Sequence, residues 1–219
     1  AAGSRVSLRS VFGDTDFLLP LPGDYNAANA ALVIACLCAR GVEIGRASQA
    51  VAESDTPPGR MQRVAAADDA PDVFVDYAHT PDALAAALTA LREHTAGKLW
   101  CVFGCGGDRD AGKRPLMGRI AEQAADRIVV TNDNPRGESP AAILDDVLAG
   151  LTNPAAARAI EDRGEAIDWA IANAAADDVV LIAGKGHEDY QLVDDRRLDF
   201  SDDARARQAL ASRSSREPT

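Results

Sequence analysis

Short apolar runs punctuate the chain from position 73 onward: Val73-Phe74-Val75, Leu99-Trp100-Cys101-Val102-Phe103, Ile128-Val129-Val130 and Val179-Val180-Leu181-Ile182-Ala183, with stretches of helical spacing between them. Runs too short for helices that alternate with helical segments predict βαβ units, and strands apolar on both faces predict a sheet covered on both sides. Thr80-Pro81 and Ser139-Pro140 each put a hydroxyl before a proline, which places a capping group ahead of a residue suited to the first helical turn. The expected class is α/β, with a doubly wound, mostly parallel sheet. Past Tyr190, Gln191-Leu192-Val193 and Arg197-Leu198-Asp199 flank Asp194-Asp195 as a hairpin would, and a last helix with a polar tail follows.

The first part of the chain has a different pattern. Val6-Ser7-Leu8 and Phe17-Leu18-Leu19 read as a strand pair, Pro22-Gly23 as a turn, and residues 26–40 as an Ala-rich helix closed by Gly41. Thr56-Pro57-Pro58-Gly59-Arg60 is the strongest linker signal. Two domains are therefore expected, an incomplete one over residues 1–60, too short to bury a core of its own, and a complete one over residues 61–219. The chain opens at Ala1 in what reads as mid-domain strand, so a fragment is expected.

The chain has 219 residues and a hydrophobic content of 47%, ample for a core. Its formal net charge of -11 repels phosphate backbones, so nucleic acid is not the expected partner and a small molecule is. The longest apolar run, AALVIACLCA over residues 30–39, is too short to span a bilayer, and no basic segment followed by an apolar one precedes it. No membrane association is expected, and the location expected is the cytoplasm. Cys36, Cys38, Cys101 and Cys105 lack C-x-x-C spacing and read as reduced structural cysteines, with no metal ligands assigned.

In an open α/β sheet the loops at the carboxyl ends of parallel strands share one edge, where ligands bind. Here those loops read Asp76-Tyr77-Ala78-His79, then Gly104-Cys105-Gly106-Gly107-Asp108-Arg109, then Thr131-Asn132-Asp133-Asn134-Pro135-Arg136, then Gly184-Lys185-Gly186-His187-Glu188. Taken singly each has a plain reading: Arg109 as a solvated ion pair with Asp108 or Asp110, His79 as a turn residue, the glycines as tight turns. Together they predict a polar ligand carrying charges of both signs. Residues 107–114 fit G-x-x-x-x-G-K, but Arg114 stands where a P-loop needs Ser or Thr, and Asp108 and Asp110 would repel phosphates. The dinucleotide fingerprint fails too, because Arg109 occupies the third glycine position.

Val75-Asp76-Tyr77-Ala78-His79-Thr80-Pro81-Asp82, residues 103–110, Asp133-Asn134-Pro135-Arg136 and residues 183–191 resemble the Mur ligases, within them the group that adds meso-diaminopimelate to UDP-N-acetylmuramoyl-L-alanyl-D-glutamate. Residues 22–29 and Gly59-Arg60-Met61 resemble the end of that family's central ATPase domain and its hinge, and the rest its Rossmann-like carboxyl-terminal domain. The resemblance implies a cytoplasmic, ATP-dependent and magnesium-dependent peptidoglycan-precursor ligase. ATP phosphorylates the glutamate side chain, and the incoming amine attacks the acyl phosphate; a carboxylate is a poor electrophile until given a leaving group, and magnesium offsets the phosphate charge. It also implies an amino-acid site at Arg109, Asn134, Arg136, Gly184 and Glu188, and an ATP side at Asn29, Arg60, Asp76 and His79. A guanidinium fork suits the distal carboxylate of diaminopimelate, and a carbonyl with a carboxylate suits its ammonium.

Two departures qualify the resemblance. Gly137-Glu138-Ser139-Pro140 replaces the family's usual Thr-Glu-Glu-Pro, and the UDP-binding domain, true P-loop and carbamylated-lysine and magnesium site have no counterpart, so the chain alone is expected not to ligate. The rival readings are a related ligase for L-lysine or folate polyglutamylation and a stand-alone amino-acid-binding module.

Overall fold

The computed structural model describes residues 3–64 and 69–214, and the chain divides into two compact units between Pro57 and Pro58. In the first, β1 (Ser4–Ser10) and β2 (Gly13–Leu19) pair antiparallel with Val6 opposite Phe17. The helix α1 (Asp24–Ala39) ends where Gly41, at φ 90°, donates to Cys38 O and Val42 to Leu37 O, the paired bonds of a Schellman cap that requires a left-handed residue. A second helix, α2 (Ile44–Ala52), was not expected; the Glu43 carboxylate caps it by accepting from the Gly45 and Arg46 amides. These elements close a small core of their own, against expectation: Ile34, Cys38 and Ala47 are buried, with Leu8, Phe17, Leu37, Ile44 and Val51 packed on them. Leu18, Leu32 and Val33 stay exposed.

The second unit runs β3 (Gln62–Val64), β4 (Asp72–Asp76), α3 (Pro81–Arg92), β5 (Leu99–Phe103), α4 (Lys113–Ala124), β6 (Arg127–Val130), α5 (Pro140–Leu148), β7 (Ala157–Ala159), α6 (Arg163–Asn173), β8 (Val179–Ala183), β9 (Tyr190–Val193), β10 (Arg196–Asp199) and α7 (Asp202–Ser214). The six-stranded sheet has the order β3-β4-β8-β5-β6-β7 and is parallel except for β3. This is the doubly wound α/β fold the apolar runs predict. Burial on both faces explains those runs: Val73, Val75, Val102, Val129, Val180 and Ile182 pack with Ala166, Ile167, Ala170 and Ile171 of α6 and Ala206 and Leu210 of α7. The alternation of a strand turns Phe74, Cys101, Phe103 and Leu181 the other way, toward the layer where α3 packs on α4 and α4 on α5.

Two local expectations meet different outcomes. Thr80 caps α3, its Oγ1 accepting from the Ala83 amide at 3.3 Å, whereas Ser139 ahead of α5 makes no capping bond through its hydroxyl. The amino edge of the sheet is fixed instead by Asp178, whose carboxylate accepts from Lys98 N at 2.7 Å, Trp100 Nε1 at 2.8 Å and Ala175 N at 2.9 Å.

Candidate functional site

Register places the site. Asp76 pairs with Ala183, Ala183 with Phe103, and Phe103 with Val130, so four neighbouring strands end on one row and release their loops together. The strand β8 lies between β4 and β5, yet the chain leaves it toward the α7 face while β4 and β5 lead into α3 and α4 on the other. Such a switch of direction opens a crevice at the carboxyl edge.

The loops interlock there. A side chain on Gly107 would put its Cβ 1.9 Å from Pro135 O, so glycine alone lets the 104–112 and 131–138 loops touch. The hairpin β9–β10 is stitched to the second of these: Arg136 N donates to Leu192 O, Asp194 N to Arg136 O, Leu192 N to Asn134 Oδ1, and Gln191 Nε2 to Asp133 O. At its centre Asn134, 3% exposed, donates from Nδ2 to Glu188 Oε2 at 3.0 Å. Of the residues expected to hold an amino acid, then, Asn134 and Glu188 are in contact, and Gly184 begins the loop that carries Glu188.

Arg136 lies half-buried beside them, its Nη1 donating to Gly107 O at 2.9 Å while no carboxylate pairs with it among the described residues. Arg109 is exposed, and the ion pair its acidic neighbours suggest does not form: Asp108 accepts from Gly137 N and Asp110 from Gly112 N. The side chains of Arg136 and Arg109 both lie over Gly106. A cavity of about 510 Å³ opens beside Arg136, lined also by Asp108, Gly137, Leu192, Asp194 and Asp195.

The residues expected on the nucleotide side are placed less uniformly. Asn29 is exposed on α1 of the first unit. In the second, the Arg60 guanidinium stands 4.9 Å over the Tyr77 ring, which also meets the rings of His79 and His187. Asp76 is committed to main chain, accepting from Met61 N at 2.7 Å and Ala78 N at 2.9 Å, and burial pushes its carboxyl up, against those bonds. The His79 ring bonds Tyr77 O through Nδ1, and His79 O accepts from Lys113 Nζ. Arg114, the last residue of the P-loop-like stretch, is buried and pairs with Glu138 at 2.8 Å and Asp146 at 2.9 Å. Among the described residues no group of three or more His, Cys, Asp or Glu could hold a metal ion. The described part of the chain does not by itself fit magnesium.

Two buried cations escape a reading of the sequence. Lys185 is fully buried, its ammonium donating to Asn134 Oδ1 and Tyr190 O, each at 2.8 Å, and lying 3.1 Å from Asp133 Oδ1 and 3.7 Å from Glu188 Oε2. Its Asp133 contact is an ion pair rather than an aligned hydrogen bond. Burial lowers its pKa, with Asp133 opposing. Arg163 is buried at the start of α6, where it forks onto Asp202 at 2.7 Å and donates to Asn132 O and Ala183 O, the carbonyls just before Asp133 and Gly184. The one signal in the sequence is that Lys185 stands between two glycines, at φ 122° and 55°, which lets the chain turn a lysine inward.

Comparison with known proteins bears on this edge. Residues 59–186 match the family model described as Mur ligase, glutamate ligase domain. A UDP-N-acetylmuramoyl-L-alanyl-D-glutamate–2,6-diaminopimelate ligase of Coxiella burnetii (strain RSA 493 / Nine Mile phase I) is 49% identical over 210 residues, 96% of this chain and 43% of the relative. A solved structure of a ligase of the same name superposes with a TM-score of 0.74 at 39% identity, over 98% of this chain and 44% of that one. The folylpolyglutamate synthase of Mycobacterium tuberculosis, in complex with ADP and AMPPCP, gives 0.67 at 26% identity, over all of this chain (100%) and 47% of its own. The chain thus spans less than half the length of the relatives it matches. With four interlocked strand-end loops and a family match running from Gly59 to Gly186, the chain belongs to the Mur ligase family, through its glutamate ligase domain.

Proposed function

We propose that this chain supplies the amino-acid-binding part of an ATP-dependent peptidoglycan-precursor ligase that adds meso-diaminopimelate to UDP-N-acetylmuramoyl-L-alanyl-D-glutamate in the cytoplasm. Residues 1–60 are then the end of the ATPase domain and residues 61–219 the carboxyl-terminal domain. The observation that carries the reading is one row of loops that holds two guanidiniums without carboxylate partners among the described residues, Arg109 and Arg136, beside a carboxylate, Glu188, anchored on Asn134. A ligand bearing carboxylates and ammonium groups is the complement of that set, because charge-assisted hydrogen bonds form between opposite charges and a charge covered by a bound ligand needs one as its partner. Arg136 and Arg109 take carboxylates of the amino acid, and Glu188 with the Gly184 carbonyl takes the distal ammonium. Asn134 contributes mainly by fixing Glu188, since both ends of its amide are already bonded within the protein.

ATP would supply the phosphoryl group that turns the glutamate carboxylate into an electrophile, and magnesium would be held outside the described residues of this chain; Arg60 and His79 would face the nucleotide side, and Asp76 would shape it through Met61 and Ala78. This part alone does not ligate. The name of the Coxiella burnetii relative favours diaminopimelate over lysine, which has no distal carboxylate to meet an arginine. ADP release by the whole ligase, measured with meso-diaminopimelate, with L-lysine and with no amino acid, tests the proposal. Turnover is expected with the first alone. Equal turnover with L-lysine would assign the chain to another ligase of the family.

A further inference from the structure

Resting on the amino-acid site proposed above, we infer that Lys185 is a positioning residue: its buried ammonium fixes the amide of Asn134 and lies between Asp133 and Glu188, so that Glu188 is aimed at the ligand's ammonium. The geometry leaves little choice of amide orientation. Two donors, Lys185 Nζ at 2.8 Å and Leu192 N at 3.0 Å, point at one end of the Asn134 amide, which must therefore be its oxygen; the nitrogen is then the end that faces Glu188 at 3.0 Å. Lys185 also lies close to two acidic side chains that no other lysine or arginine pairs with among the described residues. Arg163, below the same loops, also feels the charges of Asp133 and Glu188, but its guanidinium is forked onto Asp202 and makes no hydrogen bond to Asn134.

Removing the ammonium has two consequences that a purely structural lysine would lack. First, the Asn134 amide loses one of the two donors that set its orientation, and Glu188 is held less firmly; affinity for the amino acid falls while the nucleotide side is unaffected. Second, Asp133 and Glu188 lose the ammonium that lies 3.1 and 3.7 Å from them, and their mutual repulsion moves Glu188 off its position.

The test compares Lys185→Gln, which keeps a donor without charge, and Lys185→Met, which keeps the length alone, in the whole ligase. Both are expected to raise the KM for the amino acid at least tenfold, Met more than Gln, with the KM for ATP within twofold of wild type. In a Glu188→Gln background the Lys185 effect should shrink. Equal losses for amino acid and ATP, an undiminished Lys185 effect in the Glu188→Gln background, or failure of both variants to fold by circular dichroism would each make Lys185 a residue of the fold and overturn the inference. If the wild type prefers another amino acid to meso-diaminopimelate, the substrate reading fails, and the same comparison with the preferred amino acid still decides the role of Lys185.

Discussion

Arg136 joins a strained backbone to an unpaired charge. Its φ of 54° lies in the left-handed region, uncommon for a long side chain, and the hairpin holds it there through Leu192 O and Asp194 N. The main chain is thus fixed from both sides while the guanidinium spends a single nitrogen on Gly107 O and Asn134 O. Arg136→Ala should leave the fold intact and strand the ligand carboxylate, at a cost of about 2–5 kcal/mol, or roughly thirtyfold to a few thousandfold in kcat/KM for the amino acid. Arg136→Gly separates strain from charge: glycine is at ease at this φ, so its melting temperature should equal or exceed that of the alanine variant while its kinetics are as poor. Arg136→Lys should recover only part of the loss, since a point ammonium lacks the planar fork. Wild-type kinetics in a folded Arg136→Ala protein would return the Asp133-Asn134-Pro135-Arg136 loop to the status of an ordinary turn.

Elements report how far the sequence could be read. The strands β4, β5, β6 and β8 are legible because both of their faces are buried, and the two ends of the hairpin because turn residues separate them. The edge strands β3 and β7 are not, for three residues such as Ala157-Arg158-Ala159 carry no periodic signal and owe their pairing to neighbours. The site loops were legible as a set, but Lys185 and Arg163 were not, since a cation reads as solvated until partners far along the chain, Asn134 and Asp202, enclose it. Asp178 was hidden for the same reason, and it carries the prediction at this scale. Burial raises its pKa, but bonds from the Lys98 and Ala175 amides and Trp100 outweigh that and hold the carboxyl below its ordinary value. A depressed carboxyl contributes stability that is fully present above its unfolded pKa, about 3.9, and is lost as pH falls through the folded value. Asp178→Asn keeps one acceptor and turns an amide on the remaining donors, so it should cost about 1–3 kcal/mol in urea unfolding at pH 7, with altered Trp100 fluorescence. Below pH ~3.9 the difference from wild type should narrow. A gap that stays constant with pH would mean the carboxylate charge contributes nothing to joining β5 and β8.

For the whole molecule, stability follows burial, and the two units bury very different amounts. The second encloses both faces of a six-stranded sheet, with Leu99, Cys101, Val102, Phe103, Val180, Leu181 and Ile182 wholly inaccessible. In the first, Ile34, Cys38 and Ala47 form the buried centre of the apolar cluster, with Leu19 and Ala30 also buried, among the described residues, and Leu32 and Val33 on α1 remain 65% and 49% exposed. Apolar burial contributes roughly 25 cal/mol per Å², and the cost of ordering backbone scales with residue number, so a unit with few buried side chains opens at a lower free energy than one with many. Amides of β5 and β8 should therefore exchange only when the second unit unfolds globally, whereas those of α1 and α2, although helical, should exchange through local opening several orders of magnitude sooner. Mild denaturant should hasten β5 and β8 strongly, because their opening exposes a large surface, and should change α1 and α2 much less. Hydrogen exchange followed by mass spectrometry on this chain makes the comparison directly. Protection of α1 equal to that of β5, with the same denaturant dependence, would mean that the small cluster around Ile34 and Ala47 is stabilised beyond what its own burial supplies, and that the exposed Leu32 and Val33 face does not limit the first unit.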